Sequence, residues 1–140
     1  MRSKKISTKI LVGDFETTVF KGQTYTEVWA SALVEIGSED VTILTGIEKT
    51  FEYLKSLDCN LIVYYHNLKF DGEFWLSYII NHTDLKLAYQ FDSNDSLSGC
   101  WDKQKQMKNN SYEYVISDLG QWYSITIKVN NHTIELRDSL

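Results

Sequence analysis

The amino-acid sequence predicts an α/β domain, because two apolar runs have the length of strands and the second is followed at once by a helical pattern. Residues 61–65 are an unbroken run of branched and aromatic side chains, and residues 9–15 are mainly apolar. Such runs are typical of strands that are buried on both faces. Aromatic and apolar side chains then recur at helical spacing, at Phe70, Phe74 and Tyr78, with Trp75 and Ile79 beside them. This spacing predicts a helix that begins near Asp71 and buries the stripe.

The first half of the chain adds two further strands. Residues 25–36 alternate between apolar and more mixed side chains, and residues 41–44 form a short apolar run. Both patterns predict strands. A hairpin turn is expected within residues 17–24 and a second turn at residues 37–40, and connections this short favour an antiparallel arrangement of the three strands.

The rest of the chain supplies a second helix and three more strands. Residues 46–57 carry apolar side chains at helical spacing and lead into the strand at residues 61–65. Residues 91–111 are rich in polar side chains and predict a loop. Beyond them, three segments predict strands, at residues 112–117, 121–129 and 132–137. Asn130-Asn131 joins the last two as a tight hairpin turn. The expected architecture is a mixed central sheet flanked by helices.

Composition and charge limit the kinds of protein to which this chain can belong. At 140 residues, with 43% hydrophobic and 24% charged residues, the chain should form one domain over residues 1–140. A net charge of −5 argues against a nucleic-acid partner unless positive charge is concentrated locally. Basic residues form two clusters, Arg2, Lys4, Lys5 and Lys9, and Lys103, Lys105 and Lys108. Each cluster could contact phosphates or could be an ordinary solvated surface. The basic start has no apolar segment behind it, which indicates a cytoplasmic protein without a membrane partner.

Three acidic residues suggest a metal site. Period-2 alternation places Asp14 and Glu16 on the same face of the first strand. Asp71 lies where the second buried strand gives way to the helix, and sites in α/β folds commonly lie at strand ends. Neighbouring carboxylates on such a strand repel each other and lose hydration, so a cation should join them. Mg²⁺ or Mn²⁺ is the obvious candidate, because both prefer oxygen ligands.

Four segments of the sequence together resemble the proofreading domain of a known family. The four segments are Asp14-Phe15-Glu16-Thr17-Thr18, His66-Asn67-Leu68-Lys69-Phe70-Asp71-Gly72, Gly120-Gln121-Trp122-Tyr123 and Asp138-Ser139-Leu140. The first two resemble the first and second exonuclease motifs of the protein-primed family B DNA polymerases of phages and linear plasmids, and the other two resemble further segments of the same domain. The resemblance implies a ribonuclease-H-like exonuclease fold and two-metal, 3′-to-5′ hydrolysis of single-stranded DNA.

The resemblance also implies roles for individual residues. Asp14, Glu16 and Asp71 match catalytic carboxylates that bind Mg²⁺ or Mn²⁺. Five residues match positions that hold the 3′ end of single-stranded DNA: Thr17, Asn67, Phe70, Ser139 and Leu140. Three more match positions near the strand or the priming protein: Tyr65, His66 and Phe74. From the residues alone, Phe70 and Phe74 could equally be core side chains and Asn67 a helix N-cap, and His82 and His132 are interpreted as surface residues.

The sequence departs from the family pattern after the second motif. The family's third motif carries a fourth metal-binding Asp and a Tyr that positions the attacking water, and it lies farther along than residue 140. Asp118, Tyr123 and Asp138 are not substitutes by resemblance, because they belong to segments that match other parts of the domain. In particular, Asp138 matches an aspartate that is not a metal ligand.

Two interpretations of the function therefore stay open. The first is a stand-alone or truncated exonuclease-like domain whose hydrolysis is weak or incomplete. The second is a non-catalytic binding or inhibitor protein that derives from a polymerase fragment of a phage or other mobile element and acts in regulation or counter-defence. Besides the 3′ end of single-stranded DNA, its partner would be a priming protein, the remainder of a polymerase or a host factor.

Overall fold

The computed structural model describes residues 7–18, 26–88 and 107–139. Within these ranges the chain forms eight strands and two helices, which follow the predicted α/β order. Their bounds are β1 Thr8–Thr17, β2 Val28–Glu35, β3 Val41–Leu44, α1 Gly46–Ser56, β4 Asn60–Tyr65, α2 Leu68–His82, β5 Lys86–Leu87, β6 Ser111–Ile116, β7 Trp122–Val129 and β8 His132–Asp138. Neither described helix is long and apolar enough to cross a membrane.

The strands form one mixed sheet in the order β3-β2-β1-β4-β8-β7-β6-β5. Its centre is parallel, since β4 pairs in parallel with both β1 and β8. Antiparallel strands extend it on both sides, through β2 and β3 next to β1 and through β7 and β6 next to β8. The predicted neighbourhood of residues 9–15 and 61–65 is confirmed. Because the three central strands are parallel, their carboxyl ends meet at one edge of the sheet.

Both helices pack on the same face of this sheet and enclose the core. Leu11, Val63 and Leu136 from the three central strands lie in one buried cluster with Leu54 of α1 and Trp75 of α2. The opposite face is more open around β1, where Ile10 and Val12 are 38% and 48% exposed. The predicted central sheet with helices against it is therefore confirmed, and α1 ends one residue earlier than predicted.

Helix α2 differs from the prediction in its start and in its buried stripe. It begins at Leu68, three residues before the expected start near Asp71. The buried stripe runs through Leu68, Gly72, Trp75 and Ile79, while Phe70 at 46% exposure is on the surface. Which face of α2 is buried depends on contacts with other parts of the chain, and sequence spacing does not reveal these. Gly72 is on the buried face because it packs closely on Trp122: a Cβ on Gly72 would stand 3.0 Å from the Trp122 ring. The glycine lets β7 approach the first turn of α2.

Several smaller predictions can also be compared with the structure. Asn130 and Asn131 both have positive φ, 50° and 64°, as a tight two-residue hairpin requires, so that turn is confirmed. His132 was expected on the surface, but it is 2% exposed and its Nε2 lies 3.3 Å from the carbonyl oxygen of Lys55. The short strand β5 was not predicted. Most of the expected hairpin turn at residues 17–24 and of the loop at residues 91–111 lies outside the described residues.

A candidate carboxylate site at the sheet edge

The carboxyl ends of β1, β4 and β8 bring the predicted site residues to one edge of the sheet. Asp14 and Glu16 lie at the end of β1, and Asp14 is one position beyond Gly13, which pairs with Tyr65 at the end of β4. Helix α2 begins three residues after Tyr65. Asp71 occupies the first turn of that helix. The strand-to-helix junction therefore places a helical carboxylate, Asp71, beside Asp14 of β1.

Asp14 and Asp71 are close enough for their charges to interact. Asp71 is only 6% exposed, whereas Asp14 is exposed. Burial, and secondly the negative charge of Asp14, raise the pKa of Asp71 to about 6. Among the described residues, no basic side chain forms an ion pair with either carboxylate; the ion pairs there join Lys55 to Glu52 and Arg137 to Glu135. Within the described part of the chain, the charge that Asp71 carries above about pH 6 is therefore not balanced by an ion pair.

Tyr65 is a buried residue whose side chain interacts with the charges of both carboxylates. It is fully buried, and its hydroxyl accepts a hydrogen bond of 3.1 Å from Nε1 of Trp75. A Cβ on Gly13 would stand 2.8 Å from the Tyr65 ring, so only a glycine allows the ring to lie against β1 there. Burial raises the pKa of Tyr65, the hydrogen bond from Trp75 opposes the rise, and the charges of Asp71 and Asp14 add to it. A buried, neutral phenol thus lies close enough to both carboxylates for their charges to act on it.

The start of α2 is held from strand β8. Asn67 occupies the N-cap position, but its side chain makes no capping hydrogen bond. Instead, the Leu68 amide donates to Oδ1 of Asp138 at 3.1 Å, across 70 residues of sequence. Next to it, the Ser139 amide donates to the Tyr65 carbonyl oxygen at 2.9 Å. Sequence reasoning assigned no role to Asp138, since no local signal links it to a helix that begins so far upstream.

Glu16 does not complete a three-ligand cluster with the other two carboxylates. It is exposed, and the pairing of β1 with β2 is irregular between Glu16 and Thr17. Within the described part of the chain, no three His, Cys, Asp or Glu side chains are grouped so as to hold a metal ion. Mg²⁺ is often bound by one or two carboxylates, with waters and substrate phosphates completing its shell. The donor set of Asp14 and Asp71 fits one such ion.

The residues expected to contact single-stranded DNA are divided between surface and core. Phe70 is 46% exposed and packs edge-on against Phe74, at 5.2 Å between ring centroids. Phe74 packs in turn on the buried Phe15, at 6.5 Å. Phe70 is thus an exposed ring that packs on Phe74, which in turn packs on a buried aromatic residue. Tyr65, in contrast, is fully buried and offers no face on which a base could stack.

The remaining expected contacts lie around the same edge. His66 and Asn67 are exposed between β4 and α2, Ser139 is exposed after β8, and Thr17 is half-buried at the end of β1. Leu140 lies outside the described residues. The structure therefore brings the polar members of the set to the edge that carries Asp14 and Asp71.

Comparisons with known proteins place this arrangement in context. No protein-family model matches the chain. The chain is 32% identical to the DNA polymerase of Streptococcus phage Cp-1, over 91% of this chain and 20% of that polymerase. It is also 32% identical to the DNA polymerase of Bacillus phage Nf, over 87% of this chain and 18% of the polymerase. The chain thus spans about one fifth of the length of these curated relatives.

Solved structures of phi29 DNA polymerase share the fold. The ternary complex with primer-template DNA and incoming nucleotides is 25% identical, with a TM-score of 0.67 over 97% of this chain and 21% of that one. The complex with single-stranded DNA is 22% identical, with a TM-score of 0.65 over 95% of this chain and 21% of that one. The expected exonuclease-type α/β fold is therefore confirmed.

Proposed function

Because this chain is related by sequence and by fold to one region of the protein-primed family B DNA polymerases of phages, we propose that it is an exonuclease-like domain. In this proposal it binds the 3′ end of single-stranded DNA and, with Mg²⁺ or Mn²⁺, hydrolyses it slowly in the 3′-to-5′ direction. The relatives are polymerases of Streptococcus and Bacillus phages, so the activity would take place in the cytoplasm of an infected bacterium.

The observation that carries the proposal is the buried Asp71 beside Asp14. A carboxylate that is 6% exposed, with no described cation paired to it, is costly unless a cation joins it or a proton neutralises it. Perturbed carboxylates of this kind cluster at functional sites. One such carboxylate, Asp71, with Asp14 beside it at the carboxyl edge of a parallel sheet, favours a catalytic or binding role over a purely structural one.

Asp14 and Asp71 would hold the divalent ion, and Glu16 would approach it when DNA is bound. The ion would supply Lewis-acid activation of a phosphodiester and its attacking water. The protein would orient the strand end with the residues at the same edge. Phe70 would stack on a base, and the exposed Asn67 and Ser139 would form polar contacts with the terminal nucleotide. Stacking on an aromatic ring tolerates any base sequence, as a degradative activity requires.

Slow hydrolysis is expected because the described carboxylates form no three-ligand cluster. A reacting group misplaced by about 1 Å can lower a rate by about 100-fold. A time course on a 5′-labelled single-stranded oligonucleotide with Mn²⁺ tests the proposal. Wild type should shorten the strand slowly, and the Asp14→Ala, Glu16→Ala double variant should not shorten it at all.

The matched control is the Glu48→Ala, Glu52→Ala double variant, which removes the same number of charges from an exposed part of α1. It should degrade the oligonucleotide at the wild-type rate. Degradation that continues unchanged in the Asp14→Ala, Glu16→Ala variant would show that these carboxylates are not the hydrolytic site.

A non-catalytic binding or inhibitor protein is the second candidate. The observation that favours it is the lack of a three-ligand metal cluster among the described residues. Such a protein would act in regulation or counter-defence for a phage or other mobile element. It would bind single-stranded DNA, a priming protein, a polymerase or a host factor without turnover. Retained binding of single-stranded DNA with no degradation in the same time course would support it.

A further inference from the structure

Strand β8 is linked to the strand-to-helix junction by two neighbouring hydrogen bonds. Asp138 lies opposite Tyr65 in the parallel pairing of β4 and β8. Its Oδ1 accepts from the Leu68 amide at 3.1 Å, and the next residue, Ser139, donates its amide to the Tyr65 carbonyl oxygen at 2.9 Å. The two bonds fasten the last residue of β4 and the first residue of α2 to the same point of β8.

The junction depends on this remote carboxylate because it has no side-chain cap of its own. The first amides of a helix lack intrahelical acceptors, and a residue at the N-cap normally satisfies one of them. Asn67 holds that position without a side-chain hydrogen bond. The amides of Phe70 and Asp71 donate to the Asn67 carbonyl oxygen, at 3.1 and 3.0 Å, so the first turn of α2 is closed around this residue.

Asp71 belongs to that first turn, which makes its position sensitive to the cap. It stands three residues after Leu68 and is held at 6% exposure beside Asp14. If the turn frayed, Asp71 could move into solvent and away from β1.

We propose that Asp138 is a positioning residue: it caps α2 from strand β8 and thereby holds Asp71 opposite Asp14 for joint binding of a divalent ion. This inference rests on the metal-binding part of the proposed function. Asp138 itself does not contact the ion in this scheme; it acts through the Leu68 amide.

The test compares three variants of the full chain. Asp138→Ala removes the acceptor. Asp138→Asn removes the charge but keeps an Oδ1 acceptor. Asn60→Ala is the matched control, because the Asn60 side chain accepts from the Thr133 amide at 2.9 Å and so joins the same two strands at their opposite ends. Isothermal calorimetry measures Mn²⁺ binding, and urea titration measures stability.

The three variants should separate positioning from general stability. Asp138→Ala should weaken Mn²⁺ binding by about tenfold or more, the usual effect of removing a group that orients a metal ligand. Asp138→Asn should bind Mn²⁺ within about threefold of wild type, since the acceptor is retained. Asn60→Ala should lower the urea midpoint and leave Mn²⁺ affinity unchanged.

Two results would overturn the inference. One is wild-type Mn²⁺ affinity in Asp138→Ala, which would make Asp138 an ordinary structural cap. The other is a loss of affinity in Asp138→Asn as large as in Asp138→Ala, because the charge, and not the cap, would then be what matters. The Asn variant keeps the test decisive even if the Ala variant does not fold.

A metal-independent measurement separates this inference from the proposed function. If wild type binds no Mn²⁺, the metal-binding proposal fails, and amide hydrogen exchange then decides the positioning role. The positioning role is supported if the Leu68 and Asp71 amides exchange faster in Asp138→Ala than in wild type, and at the wild-type rate in Asp138→Asn. The amides of α1 should exchange at the wild-type rate in both variants. Equal exchange at Leu68 in wild type and Asp138→Ala overturns it.

Discussion

Replacing Asp71 with asparagine should stabilise the metal-free protein at neutral pH. Burial, with the charge of Asp14, raises the pKa of Asp71 from its usual 3.8 to about 6. Each pKa unit corresponds to about 1.4 kcal/mol, so about two units set an upper limit of ~3 kcal/mol on the cost of ionising Asp71 in the folded state. Asparagine has nearly the same shape and cannot ionise. We therefore expect Asp71→Asn to raise the free energy of unfolding by about 1–3 kcal/mol near pH 7.5.

The gain should disappear in acid, and its direction follows from proton binding. Between about pH 4 and pH 6 the folded state holds the Asp71 proton more tightly than the unfolded state does. The stabilisation of wild type that comes from the proton on Asp71 is therefore fully present below about pH 4. It is lost as the pH rises through about 6, so the free energy of unfolding of wild type falls over this interval. The difference between the variant and wild type should grow over the same interval.

Urea titrations in EDTA at a series of pH values measure this difference. Asp40→Asn, at an exposed aspartate between β2 and β3, is the control and should show little change. Saturating Mn²⁺ should then stabilise wild type more than Asp71→Asn, because only wild type keeps both carboxylates. A difference that does not vary with pH, or an Asp71→Asn protein less stable than wild type near pH 7.5, would refute the reasoning.

Three further outcomes follow from the same edge of the sheet. Asp14→Asn should lower the pKa of Asp71, because it removes the charge that adds to the effect of burial; a carboxyl NMR titration measures it. Phe70→Ala should weaken binding of a single-stranded oligonucleotide by about 1–3 kcal/mol, measured by fluorescence anisotropy. Ile80→Ala, an exposed apolar residue near the far end of α2, should leave that binding unchanged. Gly13→Ala should lower the unfolding free energy by about 1–3 kcal/mol in thermal denaturation, because its Cβ would stand 2.8 Å from the Tyr65 ring.

The sequence predicted those parts of the fold that depend on local pattern. The apolar runs at residues 9–15 and 61–65 are long enough to identify central strands, and Asn130-Asn131 favours its own turn. The alternative interpretation of Asn67 as the N-cap gave the start of α2 correctly, but the acceptor that caps the helix could not be predicted, because it belongs to Asp138, 70 residues away. The buried stripe of α2 was predicted correctly at Trp75 and Ile79 but not at Phe70, which is exposed, and Gly72 faces the core instead through its contact with Trp122.

The candidate site shows the same division. The position of Asp14 near the end of β1 and that of Asp71 just after β4 could be read from the sequence, because alternation and the strand-to-helix junction are local features. The burial of Tyr65 follows from the apolar run at residues 61–65, but its contact with Gly13 and its hydrogen bond from Trp75 could not be read from the sequence, since they join separate segments. The metal-binding and DNA-binding roles of these residues stay predictions.

The position of β8 in the sheet has a consequence for how the chain folds. This late strand lies between β4 and β7, so forming the sheet requires pairs such as Leu61 with Ile134. Contacts between such distant segments are costly in loop-closure entropy and are associated with slow folding. The antiparallel β1–β2–β3 unit can form early from neighbouring segments, whereas the first turn of α2 obtains its cap only when β8 enters the sheet. We therefore expect the carboxylate edge to be among the last parts to become ordered, so that a partly folded chain would have a sheet before it has a site.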